Sequence, residues 1–171
     1  MILNNYVFVI PGGGGKTTLS KEANYYIDID KYWDKEGKIE IKMTNEWKEA
    51  KAQNNVEIVD KIIKDCMNYK AEKLKNKLKE ENKIILVQSI NQAKIILNNN
   101  YNIYCFVPSI LLHESLMNNR NDTDYVKEIC RKQRNDIIKS GWDYKIYNNF
   151  DELKNLINKL NIDFIKKYKL F

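Results

Sequence analysis

Cysteine, proline, glycine and arginine are all scarce. The 171 residues hold three cysteines, two prolines and six glycines, and only three of the 29 basic residues are arginines. Cys66, Cys105 and Cys130 are odd in number and far apart, which excludes a disulfide framework and a metal-ligand spacing. Cys105 lies in an apolar run and reads as core, and a reducing cytoplasm suits all three thiols. His113, the only histidine, lies in an apolar helical stretch beside Glu114; a packing or surface role is expected, and no Ser–His or Cys–His pair has support. No apolar run reaches the roughly 18 residues that span a bilayer. The N-terminal apolar run has no basic segment before it and is cut by glycines, so neither a membrane span nor a signal peptide is expected.

The formal net charge is +6. It comes from lysines spread along the chain, together with abundant Asn, Ile and Tyr, as an AT-rich coding sequence produces. The sign suits an anionic partner such as a nucleotide. Nucleic acid is possible, but no basic cluster marks a surface for it.

The positions of the scarce residues are informative. Four of the six glycines are consecutive, Gly12 to Gly15, and Pro11 and Pro108 each follow an apolar run. Arg120, Arg131 and Arg134 fall in one segment. A chain that otherwise uses lysine and keeps arginine in one place suggests that planar guanidinium geometry matters there.

The apolar pattern predicts strands at Tyr6–Ile10, Tyr25–Ile29, Ile84–Val87, Ile103–Val107 and Tyr144–Tyr147. Between them it predicts helices at Lys16 to about Asn24, a long lysine-rich one over Asn55–Glu81, and others at Asn91–Leu97 and Ile110–Met117. A helix capped by Thr123 or Asp122 runs to about Lys139, where Gly141 breaks it, and a last one covers Asp151–Leu160. Residues 31–54 are less regular, with a short helix about Asn45–Ala52. Strand and helix alternate with no linker or repeat, which predicts one α/β domain over 1–171: a three-layer α/β/α sandwich on a five-stranded parallel sheet. Ligands of such sheets bind beyond the carboxyl ends of the strands.

A strand, a glycine turn and then Lys-Thr opening a helix is the arrangement of a phosphate-binding P-loop. Glycines let backbone N–H groups converge on phosphate oxygens, and the following helix adds its N-terminal dipole. Gly12, Gly13, Gly14 and Gly15 would form the cradle. Lys16 would reach the β- and γ-phosphates of ATP, the Thr17 hydroxyl would ligate Mg²⁺, and Thr18 is a further contact. Ile10 stands where the usual pattern has its first glycine, and the run of four glycines would relieve the turn instead. A GTPase would need Asn-Lys-x-Asp after a strand, which is absent; Asp34-Lys-Glu-Gly37 matches Asp-x-x-Gly in poor context. A motor ATPase would need a carboxylate after its apolar strand, where Gln88-Ser89 stands.

The glycine loop, Asp28-Ile-Asp30 at the end of the second strand and the arginine segment 120–134 together resemble the small-molecule kinases of the P-loop class. Shikimate kinase and the nucleoside and nucleoside monophosphate kinases are the nearest types. The resemblance implies that Asp28 helps hold Mg²⁺ and that Asp30 faces the acceptor and either takes its hydroxyl proton or binds it. It implies an acceptor-binding segment over 31–82 and a short lid about 118–134. In that lid Arg120 would touch the nucleotide, and Arg131 and Arg134, three apart on a helix, would grip the transferred phosphoryl group with bidentate donors. The implied activity is transfer of the γ-phosphate of ATP to a nucleoside or nucleoside monophosphate. The Asp-Gly-x-Pro-Arg acceptor motif of adenylate kinase and the glycine-rich acceptor segment of shikimate kinase are missing. The acceptor therefore stays open, and Gln88, Asn91 and Trp33 are candidates to touch it, while Trp142 reads as core. A polynucleotide 5′-hydroxyl kinase is one alternative. A P-loop NTPase or nucleotide-binding module acting with a protein or nucleic-acid partner is another.

Overall fold

The structure, a computed structural model, describes residues 5–32, 36–53, 55–77, 83–96, 101–160, 162 and 165. Trp33 lies outside the described residues. The elements in chain order are β1 (Asn5–Val9), α1 (Lys16–Glu22), β2 (Tyr26–Asp28), a 3₁₀ turn (Ile29–Tyr32), α2 (Lys38–Ala52) and α3 (Val56–Lys77). They continue with β3 (Ile84–Val87), α4 (Ile90–Ile96), β4 (Tyr101–Pro108), α5 (Ile110–Asn119), α6 (Asp124–Lys139), β5 (Tyr144–Tyr147) and α7 (Phe150–Asn158).

The five strands form one sheet in the order β2-β3-β1-β4-β5, and every pairing is parallel. Alternate side chains enter opposite layers, as the two-residue period of a strand requires. Val7, Val9, Ile85, Val87, Cys105 and Val107 meet Leu74 of α3, Ala93 and Ile96 of α4 and Ile137 of α6. Phe8, Ile10, Ile84, Leu86 and Phe106 meet Leu19 of α1 and Leu153 and Ile157 of α7. This is the expected three-layer α/β/α architecture, and it explains why β3 and the carboxyl-terminal halves of β1 and β4 are continuously apolar. Trp142 packs against the first of these layers. Burial pushes the Cys105 thiol up to about 12, as befits a packing residue rather than a nucleophile.

β1 lies between β3 and β4. The chain leaves β1 toward β2 on one side, while β3 connects onward to β4 on the other. The carboxyl ends of β1 and β3 therefore bound the crevice where open α/β sheets bind ligands.

β4 starts two residues earlier than expected, at Tyr101, and takes in Pro108, and two other elements differ more. The second strand is shorter than Tyr25–Ile29, because the Asp28 carboxylate accepts the backbone N–H of Asp30 at 3.1 Å and turns the chain into the 3₁₀ segment. The helix expected at Asn45–Ala52 begins at Lys38, directly after Gly37. Its first turns hide from a periodicity test because Ile39 and Ile41 face solvent, while the buried residue is Glu40, ion-paired with Lys73 of α3. α2 and α3 then close a small core of their own through Ala50, Val59 and Ile62.

Candidate functional site

The chain stays paired one residue beyond β1, with the Ile10 N–H donating to the Val87 carbonyl at 2.8 Å. The glycine loop begins there. Gly14 N–H closes a turn on the Pro11 carbonyl at 2.9 Å. Gly13 and Gly15 have φ of +77° and +94°, in the left-handed region that side-chain-bearing residues rarely adopt. Gly14 is required for a different reason: a Cβ there would lie 2.7 Å from Ile10 Cγ2 and 2.9 Å from the Pro11 carbonyl oxygen. Ile10 thus fills the space beneath the loop as a core residue. Among the described residues, the N–H groups of Gly13, Gly15, Lys16 and Thr17 have no protein acceptor. A row of unpaired donors at a glycine turn is a concavity for anionic oxygens.

Three side chains from distant elements clasp this loop. Gln133 of α6 accepts the Gly12 N–H at 2.9 Å through Oε1, His113 of α5 donates from Nε2 to the Gly12 carbonyl at 2.7 Å, and the Tyr147 hydroxyl of β5 donates to the Gly14 carbonyl. His113, for which a packing or surface role was expected, is buried and holds the loop through the Gly12 carbonyl. Its only sequence signal was a histidine inside an apolar helical stretch. Burial lowers its pKa, and the Arg134 and Arg120 charges add to that against the Gly12 carbonyl and Glu114. The ring is therefore neutral near pH 7, with its proton on Nε2, since a carbonyl oxygen can only accept.

A stability prediction follows. The unfolded chain protonates this histidine near its ordinary value of 6.5, whereas the native ring resists the proton. Unfolded protein then binds more protons, so stability falls as pH drops from about 7.5 toward 5.5. Denaturant titrations at the two pH values should show that decline shrinking in His113→Asn; an identical decline in the variant would rule out the histidine as its source.

Four charged and hydroxyl groups meet at the carboxyl ends of β1 and β2. Lys16 is buried, and its Nζ lies 2.7 Å from Asp30 Oδ2 and 3.6 Å from Asp28 Oδ1. The Thr17 hydroxyl donates to Asp28 Oδ2 at 3.4 Å. Lys70 of α3 approaches Asp30 at 3.6 Å. Burial pushes the Asp30 carboxyl up, but Lys16, by charge and hydrogen bond, and then Lys70 outweigh it and hold the carboxyl below its ordinary value. Thr18 is exposed and faces none of these groups in a polar contact.

The arginines separate. Arg120, at the end of α5, comes to the loop: its Nη2 is 3.4 Å from where a Gly13 Cβ would sit, and its Nε donates to Asp122 at 3.0 Å. Arg131 makes two hydrogen bonds of 2.7 Å to the Glu114 carboxylate. Arg134 is buried and donates to the Pro108 carbonyl at 2.9 Å. Residues three apart on a helix differ in direction by roughly 60°, and here that is enough to place one arginine at the surface of the helix pair and the other under β4. The segment 118–134 is the end of α5, a tight turn with Asn121 at φ +55°, and most of α6.

A cavity of about 670 Å³ opens beside Asp30, between the α2–α3 pair and the end of β3. Its walls include Asp30, Trp47, Cys66, Lys70, Gln88 and Gln92. The volume is that of a small-molecule site. Gln88 was a sequence candidate; Asn91 is exposed and does not line the cavity. Gln92 was not singled out, because nothing in a helical stretch between two strands distinguishes one buried amide.

No protein-family model matches this chain, and no curated protein matches it. Its own site chemistry is what a functional reading has to rest on.

Proposed function

We propose that the chain is an ATP-dependent phosphotransferase of the P-loop kinase type that moves the γ-phosphate to a nucleoside or nucleoside monophosphate. One observation carries this reading: Asp30 belongs to two places at once, touching the loop lysine at 2.7 Å and lining the cavity. A carboxylate shared between a phosphate cradle and a small-molecule cavity is what direct transfer between two bound substrates requires.

In this reading the loop amides and Lys16 bind the triphosphate, and Arg120 reaches its phosphates from beside Gly13. Thr17 and Asp28 offer hard oxygen donors 3.4 Å apart, which fits Mg²⁺, an ion usually held by one or two protein oxygens beside a phosphate. Bound there, Mg²⁺ would neutralise the phosphate oxygens. Lys16 turns from Asp30 to the triphosphate, so Asp30 loses its nearest cation and becomes more basic, the direction a proton acceptor needs. The acceptor hydroxyl oxygen forms a bond to the γ-phosphorus as the bond to the β–γ bridging oxygen breaks. The hydroxyl proton goes to Asp30 and ADP leaves with the bond pair. Arg131 and Arg134 join the phosphoryl group only if they leave Glu114 and Pro108; Arg120, already beside Gly13, would turn to the phosphates from Asp122 and Cys130.

The segment 31–82 is read as the acceptor-binding part and 118–134 as the lid. Among the described residues no helix is long and apolar enough to cross a membrane, and the free thiols of Cys66, Cys105 and Cys130 suit the cytoplasm.

The test is incubation with γ-labelled ATP and Mg²⁺ against nucleosides, nucleoside monophosphates and 5′-hydroxyl oligonucleotides. Label should move to a nucleoside or monophosphate. Label recovered only as free phosphate would instead favour an NTPase, and label on the oligonucleotide a polynucleotide kinase.

A further inference from the structure

The cavity beside Asp30 has an unusual polar wall. Gln92 of α4 is 2 % exposed. Its Oε1 accepts the backbone N–H of Gln88 at 2.7 Å, which fixes the carboxamide and leaves its NH₂ as the group still to be used. Among the described residues that NH₂ has no acceptor, and it belongs to a cavity-lining residue. A buried donor without an acceptor is destabilising, and native proteins rarely keep one unless a ligand or water answers it. The neighbouring Gln88 side chain also lines the cavity and likewise has no partner among the described residues.

The charges of the cavity point the same way. Among the described residues that line it, the one carboxylate is Asp30, and Lys70 already lies 3.6 Å from that carboxylate. Lys31, at the exposed rim, is the other cation among those described residues. The three arginines, the residues best shaped to hold a phosphate in a bidentate grip, are engaged by Asp122, Glu114 and the Pro108 carbonyl. The rest of the described wall is mostly apolar, with Met43, Trp47, Ile63 and Met67, and its Thr44 hydroxyl already donates to the Glu40 carbonyl.

We propose that this cavity takes an uncharged acceptor: a flat ring whose hydrogen-bond-accepting edge, a ring carbonyl for example, receives the Gln92 NH₂, and whose hydroxyl arm faces Asp30. The phosphorylated form of the same compound is rejected. This rests on the kinase reading for its role and chooses the nucleoside over the monophosphate within it. Asp30 facing the hydroxyl accepts its proton but repels a phosphate group, and an apolar wall accommodates a ring face.

Equilibrium binding separates this from the kinase reading because it needs no ATP. Uridine, inosine and adenosine and their 5′-monophosphates are titrated against the whole chain by calorimetry. At least one nucleoside should bind tenfold or more tightly than its monophosphate. Gln92→Glu keeps the oxygen that holds the Gln88 N–H but removes the donor, so it should fold as before and lose tenfold or more in affinity for that nucleoside. Gln92→Met checks the loss with a neutral side chain. Monophosphates binding as tightly as nucleosides, unchanged affinity in both variants, or no binding by any of the six compounds would each overturn the proposal. Transfer of label to monophosphates with weak nucleoside binding would overturn it and leave the kinase reading standing. Nucleoside binding without label transfer would do the reverse.

Discussion

Lys16→Ala should lower kcat/KM by about 100- to 1000-fold, the usual loss when one preorganised charge or donor at a developing anion is removed. The effect is large because Lys16 has two tasks. It is the buried cation that holds Asp28 and Asp30 together, at 3.6 and 2.7 Å, and it is the only lysine whose backbone lies on the loop itself. Removing it leaves two carboxylates facing each other and the triphosphate site, so nucleotide binding should weaken along with turnover. Steady-state kinetics with calorimetric titration of a non-hydrolysable ATP analogue reads both. Wild-type affinity and rate in this variant would remove the basis for the proposed function. Lys16→Arg is a useful companion: it keeps the charge but not the compact ammonium that fits between two carboxylates, and it should recover stability more than rate.

The second large effect is expected from Gly14→Ala. A single methyl here meets Ile10 Cγ2 at 2.7 Å, the Pro11 carbonyl at 2.9 Å and the Tyr147 hydroxyl at 3.0 Å. Two of these neighbours cannot give way: one is backbone, and the other is a fully buried core side chain. The loop must move instead, and the Tyr147 hydrogen bond to the Gly14 carbonyl moves with it. Overpacking of this kind costs about 1–3 kcal/mol, which for a chain of this size lowers Tm by roughly 3–10 °C. Displaced amides should also raise KM for the triphosphate by about tenfold or more, since the loss of about 1.4 kcal/mol of binding is a factor of ten. Thermal unfolding and the KM measured side by side test this. Full stability with unchanged KM would mean that the loop does not cradle the nucleotide in this geometry. Ile10→Ala in the same background should recover part of the KM loss but not the stability, because it removes the side chain that Gly14 is shaped around and leaves a cavity in the core.

Much of the fold was legible from local pattern. The apolar run Ile84–Val87 predicted β3 at its observed bounds, because a strand buried on both faces has no polar side to disguise it; β5 also falls at its expected bounds, Tyr144–Tyr147, although it is a half-exposed edge strand carrying Lys145. Thr123 caps α6 as expected, accepting the Val126 N–H. α2 was only half legible because its first turns bury a glutamate in place of an apolar residue, and Glu40 is stabilised there by a lysine on another helix. The arginines illustrate the same limit. Clustering in sequence reported a shared segment, but Arg120, Arg131 and Arg134 found separate partners.

What the sequence determined by itself is the order of the elements and the chemistry strung along the loop: Gly12 to Thr17 after a buried strand, and Asp28 and Asp30 after the next. These follow from covalent neighbourhood, since a segment that follows a strand directly must start at that strand's end. Only the tertiary structure decided what meets across the chain. Gly12 is clasped by residues 101 and 121 positions away, and Gly14 by one 133 positions away. The cavity exists because the α2–α3 pair packs beside the carboxyl end of β3. Periodicity reports only which side of an element is buried. Which buried or polar groups face one another is set by the parallel crossovers that order the strands β2-β3-β1-β4-β5, and no local pattern encodes that order.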